Sequence, residues 1–198
     1  MMGTRWMLLA LLVVNAAVAT HAQDETPPVN TNPNLVRNGS FENPKNTWMD
    51  TTCNYMSLLG GATTIPGWTI TSSTVNEIVW AMTPTCDGHT AAAGTFFLDL
   101  TGFGSDSPNG AVQQMLKNLT VGQVYNFTMD IITDSAPPTV TVDGSIITLT
   151  AGKAFKRGTD LWTPEKGTFT AESANPLLLI QNGGVQIGFL DNVAVKAQ

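Results

Sequence analysis

Val124 to Thr133 reads VYNFTMDIIT, with Tyr125, Phe127, Met129 and Ile131 apolar and Asn126, Thr128 and Asp130 polar between them. Successive side chains of an extended chain point to opposite faces, so this stretch predicts a strand with one face in a core and one in water. That is the pattern of an antiparallel sheet covered on one side. Working outward, further short runs rich in Val, Ile, Thr and aromatics stand between Gly, Pro, Asn and Asp. They are Leu35 to Phe41, Trp68 to Thr71, Val75 to Trp80, Thr95 to Thr101, Ala111 to Leu116, Thr139 to Leu149 with a turn at Asp143-Gly144, Gly167 to Ala171, Leu177 to Gln181 and Phe189 to Lys196. About ten strands with turn signals between them predict an all-β chain, a two-sheet antiparallel β-sandwich of the jelly-roll kind.

The first residues read differently. Arg5, the apolar run Trp6 to Val14 and the small residues up to Ala22 have the layout of a signal peptide over 1–22. The run is shorter than the ~20 residues of a membrane-spanning helix, so no membrane association is expected after cleavage. Residues 23–33, rich in Pro, Asn and Thr, read as a flexible leader, and 34–198 as one β-sandwich domain. The whole chain has 15 acidic and nine basic residues, a formal net charge of −6, which argues against nucleic acid as a partner. In an oxidising exterior the two cysteines, Cys53 and Cys86, are expected to pair, with two free thiols as the alternative. The secreted context also makes the three sequons at Asn38, Asn118 and Asn126 candidate glycosylation sites.

The two ends of the domain carry motifs. NLVRNGSFENP (Asn34 to Pro44) opens it and GFLDNVAV (Gly188 to Val195) closes it. Between them stand IPGWTI (Ile65 to Ile70), FFLDLTG (Phe96 to Gly102), Gln113-Gln114 followed by LTVGQVYNFTMD (Leu119 to Asp130), and Trp162 leading to GTFTAES (Gly167 to Ser173). In this order the set resembles the secreted DUF642 and choice-of-anchor C proteins. The resemblance implies a galactose-binding-like jelly roll, related to carbohydrate-binding modules, that binds cell-wall or matrix polysaccharide without catalysis. Jelly rolls of this kind commonly hold a structural Ca²⁺ between their first and last strands through an acidic residue of each. Glu42 and Asp191 match those positions.

Strand parity adds candidates. In the last strand Phe189, Asp191, Val193 and Val195 fall on one face, so Asp191 is expected among core residues and needs partners there. If Phe96, Leu98 and Leu100 fill the core, Phe97 and Asp99 face outward, as an aromatic platform beside a polar rim that suits a pyranose. Gln113 or Gln114 offers an amide that donates and accepts, and Trp80 and Phe103 could extend the platform, although Trp68, Trp80 and Trp162 equally suit core packing. Lys153, Lys156, Arg157 and Lys166 are the main basic cluster, and Arg157 could grip a carboxylate bidentately. The polysaccharide expected is therefore of neutral or uronic acid type.

Past the signal segment His89 is the one histidine, in a Cys86-Asp87-Gly88-His89 stretch without a catalytic pattern, so the chain is expected not to be an enzyme. A structural or adhesive protein of the matrix, packing against cell-wall proteins, is the competing reading. An accessory domain of a carbohydrate-active enzyme is the third.

Overall fold

The computed structural model describes residues 32–44, 47–50, 52–71, 77–102, 110–185 and 187–198. The expected signal segment, most of the expected leader, Val75 and Phe103 lie outside the described residues. The described residues form thirteen strands and no helix. In chain order these are β1 (Tyr55–Leu59), β2 (Thr69–Ile70), β3 (Glu77–Met82), β4 (Phe96–Asp99), β5 (Ala111–Met115), β6 (Val124–Thr133) and β7 (Thr139–Val142). After them come β8 (Ser145–Ile146), β9 (Thr150–Ala151), β10 (Phe155–Arg157), β11 (Asp160–Thr170), β12 (Leu177–Gln181) and β13 (Gly188–Ala197).

They build two antiparallel sheets. The larger runs β1-β3-β4-β13-β6-β11-β10 with β9 on β11, and the smaller runs β2-β5-β12-β7-β8. From β4 onward the chain crosses repeatedly between them (β4, β5, β6, β7, then β11, β12, β13), as the expected jelly roll requires. β6 keeps its alternation, with Tyr125, Phe127, Met129 and Ile131 buried between the sheets. They meet Val112, Val140, Leu178 and Ile180 from the smaller sheet and Leu98, Leu190 and Val195 from the larger.

The opening run departs from the strand expected for it. Asn38 and Phe41 have φ of 51° and 59°, so Leu35 to Phe41 is a series of turns, not a strand. The segment is nevertheless fixed. Leu35 N–H donates to Val195 O at 2.8 Å, and the Asn34 side chain bridges Val193 O and Val195 N, each at 3.0 Å. The Trp68 indole donates to Asn38 O at 3.0 Å, and the Gln114 amide grips both N and O of Arg37. The opening, closing, IPGW and Gln-Gln motifs are thus neighbours in one hydrogen-bonded corner, and their residue types serve the fold.

Cys53 and Cys86 are joined, tying the chain ahead of β1 to the connection between β3 and β4. Closing a loop of 33 residues' separation restricts the unfolded chain by about 3 to 4 kcal/mol. Reduction should lower the unfolding free energy by that amount, read as a lower urea midpoint, while the sheets still form. An unchanged midpoint would show that the bond contributes nothing.

Candidate functional site

Parity placed Phe97 and Asp99 correctly on the outer face of the larger sheet, but that face is not open. The connection Thr83–Thr95 folds over it and encloses a second core of Val79, Ala81, Ala91, Ala92, Phe97, Trp162 and Phe189. Phe97 is fully buried there, with its ring centroid 5.1 Å from that of Phe189 and 6.0 Å from that of Trp162. It is not a stacking platform. Asp99 accepts from the N–H and hydroxyl of Thr101, and burial raises its carboxyl above the usual range. Trp80 packs in the main core against Phe96 and presents nothing to solvent. Arg157 is exposed, yet its Nε donates to Ala92 O at 2.8 Å and so helps to anchor the roof.

Other side chains pin the same connection. Asp160 holds His89 Nδ1 at 2.9 Å and Thr90 N at 2.6 Å, and the Trp162 indole donates to Thr90 O at 3.0 Å. Asp191 accepts from Ala93 N at 3.1 Å, and Glu42 Oε1 from Thr95 N at 2.8 Å and Phe96 N at 2.7 Å. Gly94, at φ +68°, must lack a side chain, because a Cβ there would come within 2.5 Å of the Glu42 carboxylate. Hence the β3–β4 connection is a covering layer.

Asp191 is fully buried, but not where simple alternation puts it. A bulge between Asp191 and Ala194, with Asn192 at φ 52°, resets the pleat. Phe189 and Asp191 therefore face the roof, whereas Val193 and Val195 face the main core. Burial, and then the nearby charges of Glu42 and Asp130, push the Asp191 carboxyl up to about 8 against the pull of the Ala93 and Asn192 amides. Glu42 lies near enough for its charge to raise the Asp191 carboxyl. As a calcium site the pair fits in part. Two hard carboxylates are present, but backbone N–H donors already point at them, and no group of three or more acidic, histidine or cysteine side chains that could hold a metal occurs among the described residues.

The open surface lies on the other sheet. Thr69, Gln113, Leu179 and Thr141 pair in one row across β2, β5, β12 and β7, on the side away from the core. At the β2–β5 end of this face a cavity of about 670 Å³ is lined by Leu35, Arg37, Thr69, Gln113, Met115 and Lys117, with Gly67, Gln114 and Leu177 completing it. β2 is only two residues long, so beyond it the edge of β5 is met by the opening segment, and Gln114, 5% exposed, holds that segment in place. Arg37 and Lys117 are exposed, and Met115 is half exposed. Of the expected ligand residues only Gln113 lies here. Phe97, Asp99, Trp80 and Arg157 belong to the larger sheet or its roof, so the five do not converge.

Of the sequons, Asn118 is exposed beside Lys117, and Asn126 is half-buried on β6. The Asn38 side chain accepts from Asn43 N at 3.0 Å and donates to Pro66 O at 3.2 Å, so its amide is engaged in the turn.

Fold and cleft together define an all-β jelly-roll domain with one open face able to hydrogen-bond. The chain belongs to the family described as protein of unknown function (DUF642), which matches residues 34–196. It is 28% identical over 172 residues to halomucin of Haloquadratum walsbyi, covering 82% of this chain and 2% of that protein's length. Solved structures similar to it include CBM35 from Paenibacillus barcinonensis, at 16% identity and a TM-score of 0.45, covering 72% of this chain and 99% of that one. Another is a putative sugar binding protein from Bacteroides thetaiotaomicron, at 13% identity and a TM-score of 0.44, covering 84% and 100%.

Proposed function

We propose that the protein is a secreted, non-catalytic carbohydrate-binding module whose cleft on the smaller sheet takes an extracellular polysaccharide of cell wall or matrix. The observation that carries this reading is the lining of the 670 Å³ cleft: an amide (Gln113) and a hydroxyl (Thr69) stand beside apolar Leu35, Met115 and Leu177. A pyranose presents the complement, with C–H faces to lie on apolar side chains and a rim of hydroxyls that donate and accept. The lining contains no carboxylate, histidine or cysteine, so it offers neither the acid pair of glycoside hydrolysis nor an activated nucleophile. The disulfide and the signal-peptide-like apolar run Trp6 to Val14 support secretion.

A glycan array with the secreted chain tests the reading, followed by calorimetry on any hit. Gln113→Ala should weaken binding by about tenfold, because it leaves sugar hydroxyls unpaired, and Met115→Asp by more. Absence of any glycan ligand, or affinities untouched by both substitutions, would sink it.

We further propose that the Glu42 and Asp191 pair takes up Ca²⁺, held by these carboxylates with backbone carbonyls and water. Bound there, calcium would neutralise two like charges and fix the roof to both ends of the domain. Chelator should then lower the melting temperature of the parent and not that of Asp191→Asn. Identical melting curves with calcium and with chelator would dismiss the ion.

A further inference from the structure

Taking the cleft as the glycan site, we infer that the polymer it accepts is acidic, and that Arg37 and Lys117 read carboxylates on its sugar rings. The protein as a whole is acidic, with 15 Asp and Glu against nine Lys and Arg, yet the cleft is lined by two cations and no anion. Neither cation is neutralised from within. The single ion pair among the described residues is His89 with Asp160, on the larger sheet and its roof.

Arg37 is also placed, whereas a solvated surface arginine would not be. Its N–H donates to Gln114 Oε1 at 2.6 Å and its carbonyl accepts from Gln114 Nε2 at 2.8 Å. Its aliphatic stem lies over Gly67, which sits at φ +93°, and a Cβ at that position would come within 3.1 Å of Arg37 Cγ. Backbone and stem are therefore held while the guanidinium stays exposed at the rim. A planar guanidinium matches a carboxylate with two parallel N–H donors, and the Lys117 ammonium adds a point charge without that geometry. A uronic acid carries its carboxylate at the edge of the same ring whose C–H face would rest on Met115 or Leu177, so one residue of the polymer can satisfy both halves of the cleft.

The basic cluster Lys153, Lys156, Arg157 and Lys166 is less suited to this role. It lies on β10, β11 and the chain before them, and the Arg157 Nε is committed to Ala92 O.

The test is calorimetry of the secreted chain with oligogalacturonate, with a cello-oligosaccharide of equal length and with dextran sulfate, at about 0.02 M and about 1 M salt. The acidic oligomer should bind about tenfold more tightly than the neutral one at low salt, and the gap should close at high salt, where exposed charges are screened. Arg37→Lys, which keeps charge and stem, should lose about fivefold on oligogalacturonate, and Lys117→Ala about threefold, each losing clearly less on the neutral oligomer. If neutral and acidic oligomers bind alike at low salt while Gln113→Ala weakens both, the acidic inference falls and the cleft remains the glycan site. Dextran sulfate binding as tightly as oligogalacturonate, with Arg37→Lys indifferent, would reduce the site to charge alone and overturn carboxylate recognition. If no oligomer responds to Gln113→Ala or Met115→Asp, the cleft reading falls and this inference with it.

Discussion

With divalent cations removed by chelator, the protein should become more heat-stable as the pH falls from about 8 to about 5, the reverse of ordinary acid denaturation. The cause is Asp191, whose carboxyl titrates near 8 in the folded protein and near the ordinary carboxylate value once unfolded. Between the two values the folded state binds more protons, so stability falls as pH rises, at up to ~1.4 kcal/mol per unit, and levels off above the folded value. Relaxation around the charge reduces the total, which should still reach roughly 3 kcal/mol. Burial raises the carboxyls of Asp99, Asp130 and Glu165 as well, and each pushes in the same direction. Asp191→Asn removes the titrating charge and one acceptor, so it costs about 1 kcal/mol near pH 5, where the parent's carboxyl is protonated, and loses that deficit as the pH rises, which flattens the slope. Calcium at pH 8 should flatten the parent's slope too, since a cation stabilises the carboxylate. Melting temperatures of parent and variant across this range decide the matter, and parallel profiles would show that Asp191 is not the titrating group.

Local pattern carried most of the fold. β6 and β12 alternate cleanly because each has one face in the core between the sheets, so their parity could be read directly. β13 was located but misread after Asp191, since a one-residue bulge inverts every later side chain and YNFTMD-like alternation cannot reveal it. β1 escaped notice: YMSLL follows Cys53 and Asn54, both at positive φ, and reads as part of a polar loop. The opening motif looked like a strand because Leu35, Val36 and Phe41 are apolar, but its backbone is bent so that the Asn34 and Asn38 side chains can make bonds a strand would make with its main chain.

The site was harder to read for a different reason. Gln113, which lines the cleft, carries an amide that can be singled out in the sequence, but Arg37 stands 77 positions from the Gln114 that fixes it, and nothing local marks that pairing. Lys117 looks like any surface lysine next to a turn. The roof was invisible for the same cause, because PTCDGHTAAAG has the composition of an exposed loop. Its burial is imposed by Glu42, Asp160, Trp162 and Asp191, all distant in sequence.

Phe97→Ala puts that roof to the test, and it separates a platform residue from a core residue. A platform residue would lose affinity on truncation and keep its stability. Phe97 is fully buried among Val79, Ala92, Trp162 and Phe189, so its truncation should cost about 3 to 5 kcal/mol in urea unfolding, from lost transfer energy and the cavity left behind. The damage should be confined to the larger sheet's outer layer. Gln113, Thr69 and Arg37 sit on the opposite sheet and its edge, so glycan affinity measured well below the melting temperature should stay within about twofold of the parent, as for distant, independent sites. Amide exchange offers a second reading, because a loosened roof should expose Thr90 N, Ala93 N and Thr95 N, now bonded to Asp160, Asp191 and Glu42, before the amides of β5 and β12. A loss below about 1 kcal/mol would mean that the connection leaves Phe97 accessible, and lost affinity with stability intact would return Phe97 to the binding surface.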